Sequence, residues 1–207
     1  MTDAPREDPV GIFWMDDEPR RLERDRQEVE EFAPDLTFFS ARSPRFMHGG
    51  WAGRLPLWPF DRPEPHGLRE LLTDGVEVEI SFSAAHPMVP PTIRPISPMP
   101  AIEERTQHIW HVAPDGSLCL LQSQGQWHPE ASITELLLKA AGWHVEYALM
   151  KAEVVEAMTV RGIVDDPALD HLIATAAAQR TADGDAVDRP APPESPTGST
   201  RPDRDTP

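Results

Sequence analysis

The stretch from Val76 to Pro91 restricts the fold more than any other part of the chain. Val76-Glu77-Val78-Glu79-Ile80-Ser81-Phe82 alternates apolar and polar side chains, the pattern of a strand with one buried face and one wet face. His86-Pro87-Met88-Val89-Pro90-Pro91 follows almost at once and cannot form a helix interior, because proline lacks the amide donor and clashes with the preceding turn. The chain must therefore turn, and Thr92 to Ile96 reads as a short return strand, with Pro95 marking an edge or an end. Upstream, Leu36 to Ser40 has the Thr and Phe content of a strand. Trp51, Leu55, Leu57 and Trp58 suggest another strand, broken by Pro56, and Leu68 to Leu72 a short helical turn.

Helices are expected on both sides of this meander. Residues 18–32 read as a helix, with Asp16 or Asp17 as cap, Pro19 in the first turn and Pro34 past the end. Its apolar face is sparse: Leu22, Val29 and Phe32. Ser132 and Glu135 have the spacing of a capping box, and apolar residues at helical spacing continue to Met158 across a break at Gly142. A last helix is expected over Pro167 to Ala178. The layout is α+β: an N-terminal helix, an antiparallel meander of about four strands, then C-terminal helices. Residues 1–17 are expected to be a loose lead-in, 18–178 the domain, and 179–207 a disordered tail rich in Pro and Asp, with too few large apolar side chains to offset the entropy of ordering.

The net charge of -16 argues against nucleic acid or an anionic membrane as the main partner, since both are polyanions. No apolar run is long enough for a membrane span. Acidic residues stand where a secretory signal would have a basic region, and the single cysteine excludes an intramolecular disulfide and fits a reducing compartment, so a cytoplasmic location is expected. Lysine occurs only at 139 and 151, against 17 arginines, a bias that a GC-rich coding sequence accounts for.

That one cysteine, Cys119, lies in His108-Ile-Trp-His111-Val-Ala-Pro-Asp115-Gly116-Ser-Leu-Cys119-Leu-Leu, between a turn signal and an apolar run. Free cysteine is among the most buried residue types, so an inert core thiol is one reading and a nucleophile the other. His108, His111, Cys119 and His128 are possible zinc ligands, but their spacing matches no standard site. A papain-like pair needs a histidine far downstream, and only His128, His144 and His171 follow Cys119.

The order of these motifs resembles the ubiquitin-conjugating enzyme family, and more closely its divergent prokaryotic branch. That family has a strand, a Tyr-Pro-x-x-Pro-Pro segment and a short strand. Next comes a His-Pro-Asn motif whose Asn precedes the catalytic Cys by eight residues. A Trp stands eight residues after the Cys, a Pro two further, and then a helix. Here the strand is Val76–Phe82, the proline segment 86–91, and Trp127 and Pro129 stand eight and ten residues after Cys119. Asp115-Gly116-Ser117-Leu118-Cys119 is similar to the family's Asn-Gly-x-Ile-Cys. Element order matches over 18–158 and residues over 86–138. His86 replaces the Tyr, Trp110 the Pro and His111 the Asn, the last as in the prokaryotic branch.

The resemblance implies a ubiquitin-conjugating-like fold with Cys119 on the extended segment after the sheet. Cys119 would carry a ubiquitin-like modifier as a thioester, and His111 would stabilise the oxyanion, act as a base or serve structurally. Asp115, Gly116, Trp127, Pro129, Pro90 and Pro91 would support the site. No cofactor or metal is implied, because ATP is used by the activating enzyme. Implied partners are the ubiquitin-like protein, the activating enzyme and a deconjugating peptidase from the same operon, in systems linked to phage defence. The alternative is an inactive module of the same fold that binds the modifier or the activating enzyme.

Overall fold

The computed structural model of the chain describes residues 13–121, 127–159, 162–165 and 167–187. Four antiparallel strands form one meander sheet: β1 (Leu36–Phe39), β2 (Gly50–Arg54), β3 (Glu77–Ser81) and β4 (Thr92–Ser97), in that spatial order. The alternation of β3 is realised in space. Val78 and Ile80 are fully buried, while Glu77, Glu79 and Ser81 keep partial contact with water. Trp51 of β2 sits opposite Ile80, and Ile80 opposite Ile93 of β4, so the inner face is a continuous apolar row. Pro95 lies on the outermost strand, where its missing donor removes least from the ladder.

Helices α1 (Trp14–Asp17) and α2 (Pro19–Phe32) precede the sheet, and α3 (Leu68–Leu71) lies between β2 and β3. Helices α4 (Ile133–Lys151), α5 (Gly162–Asp165) and α6 (Asp170–Val187) follow it. One core joins the inner sheet face to Val29 of α2 and to Leu137, Ala140, Trp143 and Tyr147 of α4. A second joins Val145 and Leu149 of α4 to Leu68 and Leu71 of α3, Ile163 of α5, and Ile173 and Ala176 of α6. Helix α4 is thus covered on opposite sides, which is why its sequence lacks a polar stripe. Removing a fully buried side chain such as Ile80 by substitution to Ala costs about 2–5 kcal/mol.

The structure differs from the sequence expectations at several points. The end of the supposed lead-in is built into the core: Trp14 and Met15 are buried, and the Trp14 indole N–H donates to the His48 carbonyl at 3.2 Å. Residues 1–12 lie outside the described residues. Asp16 and Asp17 belong to α1, and Glu18 occupies the N-cap position of α2 without a side-chain cap. The second strand ends at Arg54, ahead of Leu55 and Pro56. Ser132 caps α4 by accepting from the Thr134 amide at 3.2 Å, while its hydroxyl donates to Glu28 of α2 at 2.6 Å; Glu135 is exposed and no capping box closes.

Helix α4 runs through Gly142 without a break and stops at Lys151, short of Met158. Its end is a Schellman turn: Glu153 adopts φ +57°, its amide donates to Met150 at 3.0 Å, and that of Val154 donates to Leu149 at 3.1 Å. The last helix is longer than the expected 167–178. A short turn over Pro167–Leu169 leads into α6, which continues to Val187, nine residues into the stretch expected to be disordered. Ile173, Ala176 and Ala177 anchor it on α3 and α4, and helix propagation from an anchored nucleus adds a bond per residue. Residues 188–207 lie outside the described residues.

Candidate active site

Cys119 ends a tight hairpin that begins at His111. Val112 bridges Leu118, the Ala113 amide donates to the Ser117 carbonyl at 2.7 Å, and the Cys119 amide donates to the His111 carbonyl at 2.8 Å. The tip is Pro114-Asp115-Gly116, with the Gly116 amide donating to Ala113 at 2.9 Å. Gly116 has φ +87°, a left-handed conformation that glycine adopts without a Cβ penalty. The Asp115 carboxylate accepts from the Ser117 amide at 3.0 Å and hydroxyl at 2.7 Å, which braces the turn and holds the acid below its ordinary range.

The hairpin docks on the sheet through the Leu118 amide, which donates to Ile93 of β4 at 2.8 Å. Val112 and Leu118 bury their side chains in the core. At its base the Trp143 indole N–H of α4 donates to the Trp110 carbonyl at 2.8 Å, and the Met158 amide donates to Ile109 at 3.0 Å. Cys119 and His111 are therefore fixed from the strand side and from the helix side.

Beside them lies a cavity of about 530 Å³. Cys119, His111, Val89, Pro90 and Pro91 all line it, together with the apolar Leu136 and Met158. The proline wall is held rigidly. The His86–Pro87 peptide is cis, the His86 Nδ1 lies 3.3 Å from the Val89 carbonyl, and the Trp127 indole N–H donates to the Pro87 carbonyl at 2.8 Å. The His86 ring packs edge-on to Trp14 with centroids 4.5 Å apart and lies 4.3 Å from Phe82. Burial, then the charge of Arg21, pushes its pKa down to about 4.

Cys119 is half-buried. Burial pushes its thiol up, and the Asp115 carboxylate adds to the shift. His111 is also half-buried, and burial followed by the charge of His108 lowers its pKa, so the imidazole is neutral near pH 7. The His111 backbone has φ +49°, a sparsely populated region for a non-glycine residue and one found disproportionately at functional sites. A neutral imidazole there can donate one hydrogen bond and accept another. The pair has the components of acyl-transfer chemistry: a thiol that becomes nucleophilic on deprotonation and a donor able to meet a developing oxyanion.

Among the residues singled out from the sequence, Cys119, His111, Pro90 and Pro91 meet at this cavity, and Asp115 and Gly116 shape the turn that presents the thiol. Trp127 grips the proline segment from behind, and Pro129 stands in the turn closed by the Ala131 amide on His128 at 2.9 Å, away from the cavity lining. His108, Gln107 and Met158 also line the cavity and had not been singled out for a catalytic role. His108 was visible as one half of a His-x-x-His pair, whereas nothing in the sequence places Met158 near Cys119. Among the described residues no group of three or more His, Cys, Asp or Glu side chains is placed to hold a metal ion, and His128 lies 3.6 Å from Glu130. No protein-family model and no curated protein matches this chain.

Proposed function

We propose that the chain is a ubiquitin-conjugating-type acyl carrier. Cys119 holds a ubiquitin-like modifier as a thioester, received from an activating enzyme and passed to an amine of a target protein. One observation carries this reading: the sole thiol and His111 are the two ends of one docked hairpin and line one cavity together with the Pro90-Pro91 segment. That arrangement is similar to the family's motif order and gives those motifs a spatial reason. Exposed apolar side chains next to the cavity, Met88, Val89 and Ile109, suit contact with protein partners.

In this reading the Cys119 thiolate attacks the thioester carbonyl on the activating enzyme. The tetrahedral oxyanion collapses, the activating enzyme's thiolate leaves, and the acyl group remains on Sγ. A target amine then attacks, loses a proton, and expels the Cys119 thiolate as the amide forms. ATP is consumed by the activating enzyme, so the carrier needs no cofactor. His111 donates to the oxyanion of the second step. The setting we propose is a prokaryotic conjugation system directed against phage.

Incubation with the cognate modifier, its activating enzyme and ATP should give an adduct on a non-reducing gel that thiol removes and that Cys119→Ala lacks. Failure to form it with a competent activating enzyme rejects the carrier. His111→Ala should slow discharge to an amine about 10²-fold, the usual cost of one oxyanion donor, with loading less affected. His111→Asn should restore much of that loss, since Asn tolerates the left-handed backbone and supplies an N–H donor.

The raised thiol pKa favours a second reading, a module of the same fold that binds the modifier or the activating enzyme without transfer. That reading predicts full biological activity for Cys119→Ala.

A further inference from the structure

A second cavity, of about 800 Å³, shares no lining residue with the one at Cys119. It opens where the ends of β2 and β4 and the turn before β3 meet α4 and α6. Its size lies in the range of small-molecule sites, and its lining joins Leu71, Leu72 and Tyr147 to a larger set of polar and charged side chains.

The notable polar group is His144. It lies in the middle of α4, is only 5% exposed, and lines the cavity. Neither ring nitrogen has a hydrogen-bond partner among the described residues, and neither is sealed from the cavity. Three cations surround the same space. Arg54 pairs with the exposed Asp74 at 3.1 Å, Lys151 contacts Glu104 at 2.7 Å, and one Arg180 nitrogen donates to the Leu71 carbonyl. Each keeps further N–H donors for a ligand. Glu153 is the other carboxylate of the lining, and Glu104 just outside it neutralises Lys151, so Arg180 is the lining cation to which the described residues bring no carboxylate. Burial and the Arg54 charge push the His144 pKa down to about 4, so the ring is neutral and offers one N–H and one lone pair.

We infer that this cavity binds the anionic group, carboxylate or phosphate ester, of a small organic molecule, with Arg54 and Arg180 holding the anion and His144 donating from the floor. The ligand's apolar part lies on Leu71, Leu72 and Tyr147. The site is independent of thioester chemistry at Cys119.

The test is a titration of the full chain, labelled for histidine-ring NMR, with inorganic phosphate, AMP and glutarate in turn. The titratable and charged groups that line the cavity with His144 are Arg54 and Asp74 from the sheet side, Tyr147, Lys151 and Glu153 at α4 and its end, and Arg180 from α6, with Glu104 bonded to Tyr147 and Lys151. Saturable shifts of the His144 ring are expected at millimolar concentration with at least one probe. Response to phosphate and AMP assigns a phosphate ester, and response to glutarate alone assigns a carboxylate. Arg54→Gln and Arg180→Gln should each weaken binding about tenfold, the worth of one charge-assisted hydrogen bond. His144→Phe tests the floor directly, and the two exposed arginine variants decide if it does not fold. No saturable shift with any probe, or unchanged binding in both arginine variants, overturns the site.

Discussion

At the residue scale the chemistry turns on Cys119 and His111. Burial and Asp115 both raise the thiol, so at neutral pH little thiolate is present and its fraction climbs with pH until the raised pKa is passed. The rate of loading should therefore rise about tenfold per pH unit from pH 7 to 8.5 in a stopped-flow or quench assay. A flat profile would place another step in control. His86 and His144 give a prediction about stability. Each has a folded pKa of about 4, below the unfolded value near 6.5, so between those limits the unfolded chain binds more protons. Their contribution is complete above pH 6.5 and is lost as pH falls toward 4, by about 3 kcal/mol per residue at most. Urea melts across this window should show the loss, and His86→Phe, which keeps a ring between Trp14 and Phe82, should reduce it. The turn Pro114-Asp115-Gly116 and the His at position 111 were readable in sequence because their determinants are local. The cage around His86 was not, because Trp14 and Trp127 reach it from distant parts of the chain.

At the element scale, β3 was recognisable because one buried face writes a period of two into the sequence. Helix α4 was harder for the opposite reason. It is buried against the sheet and against α3, α5 and α6, so no polar stripe marks its length. Gly142 looked like a break but is a close contact: a Cβ there would stand 2.9 Å from Val164 Cγ2 and 3.2 Å from Ile163 Cγ2 of α5. Gly142→Ala gains up to about 1 kcal/mol of helix propensity, but overpacking two β-branched side chains costs about 1–3 kcal/mol. A net destabilisation of about 1 kcal/mol is expected in denaturant titration. Glu146 is a second helix–loop contact invisible in sequence. Its buried carboxylate accepts from the Thr159 amide and the Ile163 amide, both at 2.7 Å, and from the Thr159 hydroxyl at 3.0 Å. It thereby fixes the segment that places Met158 against the Cys119 cavity.

At the scale of the whole molecule, two lysines among 207 residues limit the amines that a loaded thioester could modify on its own carrier. Lys151 is further engaged by Glu104, whose other oxygen accepts from the Tyr147 hydroxyl. Gln107 is exposed and lines the cavity, so Gln107→Lys places an amine beside the thioester. That variant should accumulate a self-conjugate resistant to reductant, detectable as a second band on a reducing gel, while the parent chain does not. The proposal of a thioester carrier is tested most directly by intact-mass spectrometry after incubation with modifier, activating enzyme and ATP. A gain equal to the modifier less one water is expected, mapped to Cys119 and removed by thiol. No gain in the presence of a competent activating enzyme, or the same gain in Cys119→Ala, would contradict it.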